Sequence, residues 1–208
     1  MLMRTILTLL LAAGIAHCQT PPGFEPSTEN KLGVKFGNRV RADNGNKLEK
    51  ADTQSIPRLD LKFLIDDVDS SFLFAETSTS SSHYIVFMID LDVPRNGTTV
   101  PFLHWYQPNF GLNRKTGKLL PPKSSEPAKA EYVGPSPPPG PAHRYVELLF
   151  NQPFYYEFPE EFDRYLEKKS SARVGFEIND FVKAAKLQKP IAGNWFLVQE
   201  TEDLREDL

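Results

Sequence analysis

Cysteine is almost missing from this chain: Cys18 is the single thiol in 208 residues. That count excludes a disulfide framework, a C-x-x-C redox pair and a thiolate metal cluster. Long apolar runs are missing too. The longest, from Thr5 to Ile15, falls short of the about 20 residues that cross a bilayer, so no membrane span is expected. No basic tract is present either. Lys and Arg number 24 against 27 Asp and Glu, a formal charge of −3, and without clustered cations nucleic acid and anionic membranes are poor partners. G-x-S-x-G, H-E-x-x-H, G-x-G-x-x-G and the phosphate loop are all absent, which removes common signatures of serine hydrolysis, zinc proteolysis and nucleotide binding. No metal and no cofactor is expected.

What the N-terminus does hold is "MLMRTILTLLLAAGIAHCQT", with Arg4, then the apolar run, then small residues near Cys18. This is the pattern of a secretory signal peptide. Cleavage after Cys18 removes the only thiol and leaves one domain, residues 19–208, beginning at Gln19. The expected location is outside the cell or in the lumen of the secretory pathway. Asn96-Gly97-Thr98 is an acceptor for N-glycosylation, to which a secreted chain is exposed.

Periodicity supplies the elements. "IPRLDLKF" (56–63) alternates as a strand does, and "YIVFMID" (84–90) is continuously apolar, the mark of a strand covered on both faces. "HWYQPNF" (104–110), "RYVELLFN" (144–151) and "NWFLVQE" (194–200) predict further strands. Helices are predicted at "PEEFDRYLEKK" (159–169), with Phe162, Tyr165 and Leu166 on one face, and at "EINDFVKAAKL" (177–187), with Ile178, Phe181, Val182 and Ala185. Strands early and helices late give a mainly β (α+β) domain with peripheral C-terminal helices. "AETSTSSS" (75–82) predicts a polar surface connection. Residues 119–141 carry 8 of the 18 prolines, and they stop where a strand starts; the segment is expected to be ordered and rigid against the sheet.

The groups able to do chemistry are histidines and nearby carboxylates. His83 opens a strand after a serine run and reads as a surface residue. His104 and His143 each stand at a strand start, and Asp90 and Asp92 close the most buried strand in "DLDVP". Taken singly, such carboxylates are ordinarily turn residues accepting backbone N–H bonds, and a histidine beside aromatics is ordinarily a satisfied core ring. Taken together, a carboxylate, two imidazoles and a tyrosine at one sheet rim make a small polar pocket.

These residues carry a resemblance. "DLDVP", "FLHWY", "YVGPSPPPGPAHRYVELLFNQ" and "FEINDFVKAAKLQKPIAGNWF" resemble, in order and spacing from residue 84 to 196, the phosphatidylethanolamine-binding protein (PEBP) family. That family has an Asp-Pro-Asp-x-Pro segment, a histidine segment, a Gly- and Pro-rich loop leading into His-Arg-Tyr, and a terminal Pro-x-Ala-Gly stretch. The resemblance implies a central, antiparallel-rich β-sheet packed on a second, smaller sheet. It also implies a ligand site of Asp90, His104, His143 and Tyr145, with Tyr132 and Gly134 forming one wall, and a cis bond before Pro94. Two positions depart from the pattern: Leu91 stands for the first proline, and the "SPPPGPA" version of the loop is stiffer and poorer in backbone N–H donors.

A pocket of this composition favours a small anion, a phosphorylated headgroup or a carboxylate, with affinity rising as the imidazoles protonate. The first function the resemblance implies is therefore a secreted ligand-binding protein. The leader and the "GPSPPPGP" loop look like fungal members of the family. Some of these are associated with dimerising maleic-anhydride polyketide monomers to nonadrides (maleidrides), alongside an isomerase-like partner enzyme. In that second role His104, His143 and Asp90 are the candidate catalytic groups, holding a dicarboxylate or anhydride and assisting proton removal. A third role, inhibition of a serine carboxypeptidase, is known among yeast relatives.

Overall fold

The computed structural model describes residues 18–62, 83–123, 130–167 and 169–201. The predicted signal peptide up to His17, the "AETSTSSS" connection and Phe63 lie outside the described residues, as does the acidic tail beyond Thr201.

Among the described residues nine strands run β1 (Gly33–Phe36), β2 (Val40–Ala42), β3 (Asn46–Leu48), β4 (Arg58–Asp60), β5 (His83–Arg95), β6 (Thr98–Asn113), β7 (Lys118–Leu120), β8 (His143–Gln152) and β9 (Ala192–Val198). They are ordered β2-β1-β4-β7-β6-β5-β8-β9-β3. Only β3 and β9 pair in parallel; the other ladders are antiparallel. β6 belongs to both halves of the array. Its Thr98–Phe110 stretch pairs with β5, and Gly111–Asn113 pairs with β7, so the sheet turns there from a central layer to a smaller one.

β5 has the double coverage its sequence predicts. Tyr84, Val86 and Met88 enter a core shared with β1, β4 and β9, while Ile85, Phe87 and Ile89 enter a second core on the opposite face. Alternation with period two, apolar at every step, requires exactly such a strand between two layers. The second core is largely aromatic. The Phe87 ring lies 5.0 Å from Tyr106, 5.7 Å from Phe150, 5.9 Å from Phe176 and 5.1 Å from Phe181, centroid to centroid.

The two predicted helices differ in kind. Residues Ile178–Ala184 form an α-helix, α1, ended by Lys186 at φ 53° and capped by the Leu187 N–H on the Val182 carbonyl at 2.9 Å. Glu160–Leu166 is instead a 3-10 helix. Its buried residues, Phe162 and Tyr165, are three apart, and a three-residue turn aligns that spacing where 3.6 residues would rotate it away. Short 3-10 turns also occupy Lys50–Thr53 and Ser170–Arg173.

The strand predicted over 56–63 is shorter, Arg58–Asp60. Within the proline segment, Pro135 and Pro137 are buried, and the Gln54 amide donates to the Pro135 carbonyl at 2.9 Å, so the described part of the loop is packed on the body as expected. The expected cis bond before Pro94 is not found. Pro94 lies in β5 opposite Thr99, and the one cis peptide among the described residues is Glu25–Pro26. Continuing the ladder to the Asn96-Gly97 hairpin keeps the chain extended through Pro94. Asn96 and Gly97 both have positive φ, 51° and 79°, as a two-residue type I′ turn needs, and the acceptor asparagine sits exposed at its tip.

Candidate functional site

Two irregularities in the β5–β6 ladder build the site. Met88 opposes Trp105 while Ile89 opposes Leu103, so His104 is the extra residue of a bulge. A bulge re-aims a side chain. The His104 carbonyl accepts the Val133 N–H at 2.9 Å, and its ring Nδ1 donates to the Val133 carbonyl at 2.6 Å. The second irregularity lies between Asp90 and Val93. There the Asp92 N–H turns back onto Asp90 Oδ1 at 2.8 Å, the local bond that makes aspartate suited to such a kink.

Asp90 faces Tyr145 across the β5–β8 ladder, and His143 opens β8 two residues earlier on the same face. His143 Nδ1 donates to Asp90 Oδ2 at 2.8 Å, and His104 Nε2 stands 3.9 Å from the same oxygen. The His104 ring is edge-on to Tyr145, 5.2 Å between centroids. All four side chains are buried: Asp90 is 2% exposed, His104 and His143 6% each, and Tyr145 0%. The structure thus brings Asp90, His104, His143 and Tyr145 together where β8 begins; Asp90 and His104 do not stand at strand ends as expected, since the β5–β6 ladder continues beyond them to Arg95 and Thr98.

Tautomers follow from the partners. A carbonyl and a carboxylate only accept, so both histidines carry a proton on Nδ1. Burial pushes the His104 imidazolium down in pKa; the Val133 carbonyl and Asp90 oppose this, and the charge of Arg173 adds to it. His104 is therefore the neutral base of the group. Its protonation comes at lower pH than the ordinary imidazole value used to expect tighter anion binding on acidification. Burial, with the Asp90 carboxylate beside it, raises the Tyr145 phenol; its hydroxyl lies toward Asp90 without reaching full hydrogen-bond geometry. Asp92 has a different task. Its carboxylate takes the Arg144 N–H and Nε at 2.8 Å each and Nη2 at 2.6 Å, anchoring the kink to β8. Burial opposes its ionisation, but the Arg144 bonds and charge outweigh it and hold the carboxyl below its ordinary pKa.

Tyr132 and Gly134 flank Val133, the residue that bonds His104. The Tyr132 hydroxyl donates to the Thr53 carbonyl at 2.6 Å and its ring packs on Trp105. At Gly134 a Cβ would come within 2.9 Å of Gln54 Cα, so glycine there lets the loop close on the Lys50–Thr53 turn. His83 is exposed at the start of β5. It borders a surface cleft of about 450 Å³ with Asn109, Leu120 and Lys123; a second, of about 440 Å³, lies near Thr28 and Lys189. Neither contains the Asp90 cluster.

A sequence profile of the phosphatidylethanolamine-binding protein family matches residues 39–196. The chain belongs to that family. It is 49% identical over 197 residues to the phomoidride biosynthesis cluster protein N of Talaromyces stipitatus, covering 95% of this chain and 98% of that one. A second protein of the same description, from another fungus, is 45% identical over 151 residues, 73% of this chain and 63% of its own length. Among solved structures, a carboxypeptidase Y inhibitor bound to its proteinase aligns with TM-score 0.57 and 19% identity over 84% of this chain and 85% of that one. A phosphatidylethanolamine-binding protein from Plasmodium vivax aligns with TM-score 0.54 and 20% identity over 88% and 92%. These two likenesses establish the PEBP-like fold, mostly strands with few helices.

Two residues near the Asp90 cluster escaped sequence reasoning. Glu147 follows Tyr145 on the inward face of β8, is wholly buried, and neither carboxyl oxygen has a partner; burial raises its pKa to about 8. The signal was available as parity, because a lone acid in "RYVELLFN" falls on the same face as His143 and Tyr145. Arg173 is 4% exposed and sits in a short turn with no periodicity to flag it. Among the described residues, no group of three or more His, Cys, Asp and Glu could hold a metal ion, and no helix is long and apolar enough to cross a membrane.

Proposed function

We propose that this protein is an accessory of fungal secondary metabolism that assists the dimerisation of maleic-anhydride polyketide monomers to nonadrides, working beside an isomerase-like enzyme. The observation that carries the reading is the likeness to the phomoidride cluster protein N, 49% identical along nearly the whole of both chains. The site chemistry agrees with it. Asp90 holds His143, and His104 is a buried neutral base whose Nε2 lone pair faces the same space. An acidic C–H beside an anhydride carbonyl would give its proton to His104 Nε2. The electron pair left behind would delocalise onto the carbonyl oxygen, to which the Tyr145 hydroxyl would donate. The test is dimer formation from purified monomer and the isomerase-like partner, followed by mass spectrometry. The His143→Ala variant should form dimer more slowly by tenfold or more, on the order expected for loss of acid–base assistance. An unchanged rate would end the idea of chemistry at this site.

The family assignment favours a second reading, a secreted binder of small anions such as phosphorylated headgroups. Calorimetry with O-phosphoethanolamine separates the two, since this reading requires binding that His143→Ala removes. The likeness to a carboxypeptidase inhibitor supports the fold alone. In either reading we take residues 1–18 as a secretory leader, and an N-terminus at Gln19 in the purified protein is the expected mass-spectrometric result.

A further inference from the structure

Arg173 ends the Ser170–Arg173 turn and is fastened to the start of β6, since Val174 bridges Phe102 and the Gly175 N–H donates to the Pro101 carbonyl at 2.6 Å. Its guanidinium donates through Nη1 to the Glu131 carbonyl at 2.6 Å. Nε is buried and has no partner. Two residues along the same stretch, Val133 accepts His104 Nδ1 and donates to the His104 carbonyl. Guanidinium and imidazole therefore grip the two ends of one three-residue segment, close enough for the charge of Arg173 to act on His104.

A guanidinium presents Nε and Nη2 as a parallel pair of donors matched to the two oxygens of a carboxylate. Arg144 shows that edge in use, with Nε and Nη2 on Asp92. In Arg173 the backbone takes Nη1, and Nε on the corresponding edge is left without a partner. A buried donor of a charged group without a partner is costly, and a carboxylate ligand would relieve that cost. The Glu131 side chain, which is exposed, is the acidic group whose charge acts on Arg173.

We propose that the Nε–Nη2 edge of Arg173 is a carboxylate subsite beside His104, so that the ligand of this site is a carboxylic acid or an opened anhydride in preference to a phosphomonoester. The proposal rests on the reading of Asp90, His104, His143 and Tyr145 as a ligand site. It names the group that chooses among anions. A planar carboxylate fits the fork.

Calorimetric titration with maleate, with dimethyl maleate and with O-phosphoethanolamine tests it on the full protein and on Arg173→Lys, Arg173→Met and His143→Ala. Wild type should bind maleate more tightly than either other probe. Arg173→Met should weaken maleate by about tenfold or more, the scale of one lost charge-assisted contact, and leave O-phosphoethanolamine within about twofold. Arg173→Lys keeps the charge and a reach to the Glu131 carbonyl, so it should fold, as its melting curve will report, and it should still lose affinity because it lacks the fork. Maleate affinity unchanged in Arg173→Lys, or no maleate binding by wild type, overturns the subsite. If His143→Ala alone abolishes binding, the subsite falls and the ligand site stands; if Arg173 variants weaken maleate and His143→Ala does not, the ligand site as read falls.

Discussion

Glu147 makes the protein's stability depend on alkali, and replacing it with glutamine exposes the dependence. The residue lies on β8 between Met88 of β5 and Asn194 of β9, wholly buried, with both oxygens unpartnered. Ionising a carboxyl in such surroundings is expensive, and burial raises its pKa from 4.5 to about 8. The sign follows. Between those values the unfolded chain has released the proton and the native chain still holds it, so unfolding becomes easier as pH rises. At about 1.4 kcal/mol per pH unit for one proton, the loss from pH 4.5 to pH 8 is about 4–5 kcal/mol. A domain holds only about 5–15 kcal/mol in all. Glu147→Gln keeps the shape and removes the titration. Urea denaturation of both proteins from pH 5 to pH 8.5 isolates the effect, because every other titrating group cancels in the difference. Near pH 5 the two should agree within about 1–2 kcal/mol, the range set by exchanging one buried polar group for another. By pH 8.5 the glutamine variant should be the more stable by several kcal/mol. A difference that stays flat across the series would refute the reasoning and mean that the native carboxylate is already ionised near neutrality.

Asp92→Asn weakens the hold of Arg144 on the β5 kink and should lower stability by about 1–2 kcal/mol near neutral pH. Because the Asp92 pKa is lowered in the fold, its contribution is present above the ordinary carboxylate range and disappears as pH falls through the native value; calorimetric melting should show the two proteins converging in acid. Phe87→Ala empties the centre of the four-ring contact in the second core and should cost about 3–5 kcal/mol in chemical denaturation; a loss below about 1 kcal/mol would show that the neighbouring rings collapse into the gap.

Much of the strand framework was legible because its signal is local. "YIVFMID" is apolar at every step, and only a strand between two cores satisfies that. The helix at Ile178–Ala184 was legible from its 3.6 period, whereas the stretch around Phe162 and Tyr165 has a spacing that both helix types accept, and packing decided for the tighter one. The bend at Asp90 was not legible in its detail. Leu91 packs against the second core in place of proline, and the bulge, not a cis bond, turns the chain. Of the site, Asp90, His104, His143 and Tyr145 could be named from motif and resemblance; the strand ends expected at Asp90 and His104 are not there, because the β5–β6 ladder runs on past both to the Asn96-Gly97 turn. The Tyr132 hydroxyl could not be assigned that way, since its partner Thr53 is 79 residues away. The same holds for Arg173, whose neighbour Glu131 is 42 residues away; such pairings are settled by tertiary closure and leave no period in the chain.

The parallel pairing of Asn46–Leu48 with Phe196–Val198, together with the bonds of Asn30 and Leu32 to Gly193, sets an order on biosynthesis. β3 is made well before its partner strand β9. Val34, Phe36, Ala42 and Leu48 share a core with Phe196 and Val198, so that core closes only once β9 has been made. Truncation within β9 would leave β3 and β8 as unsupported sheet edges.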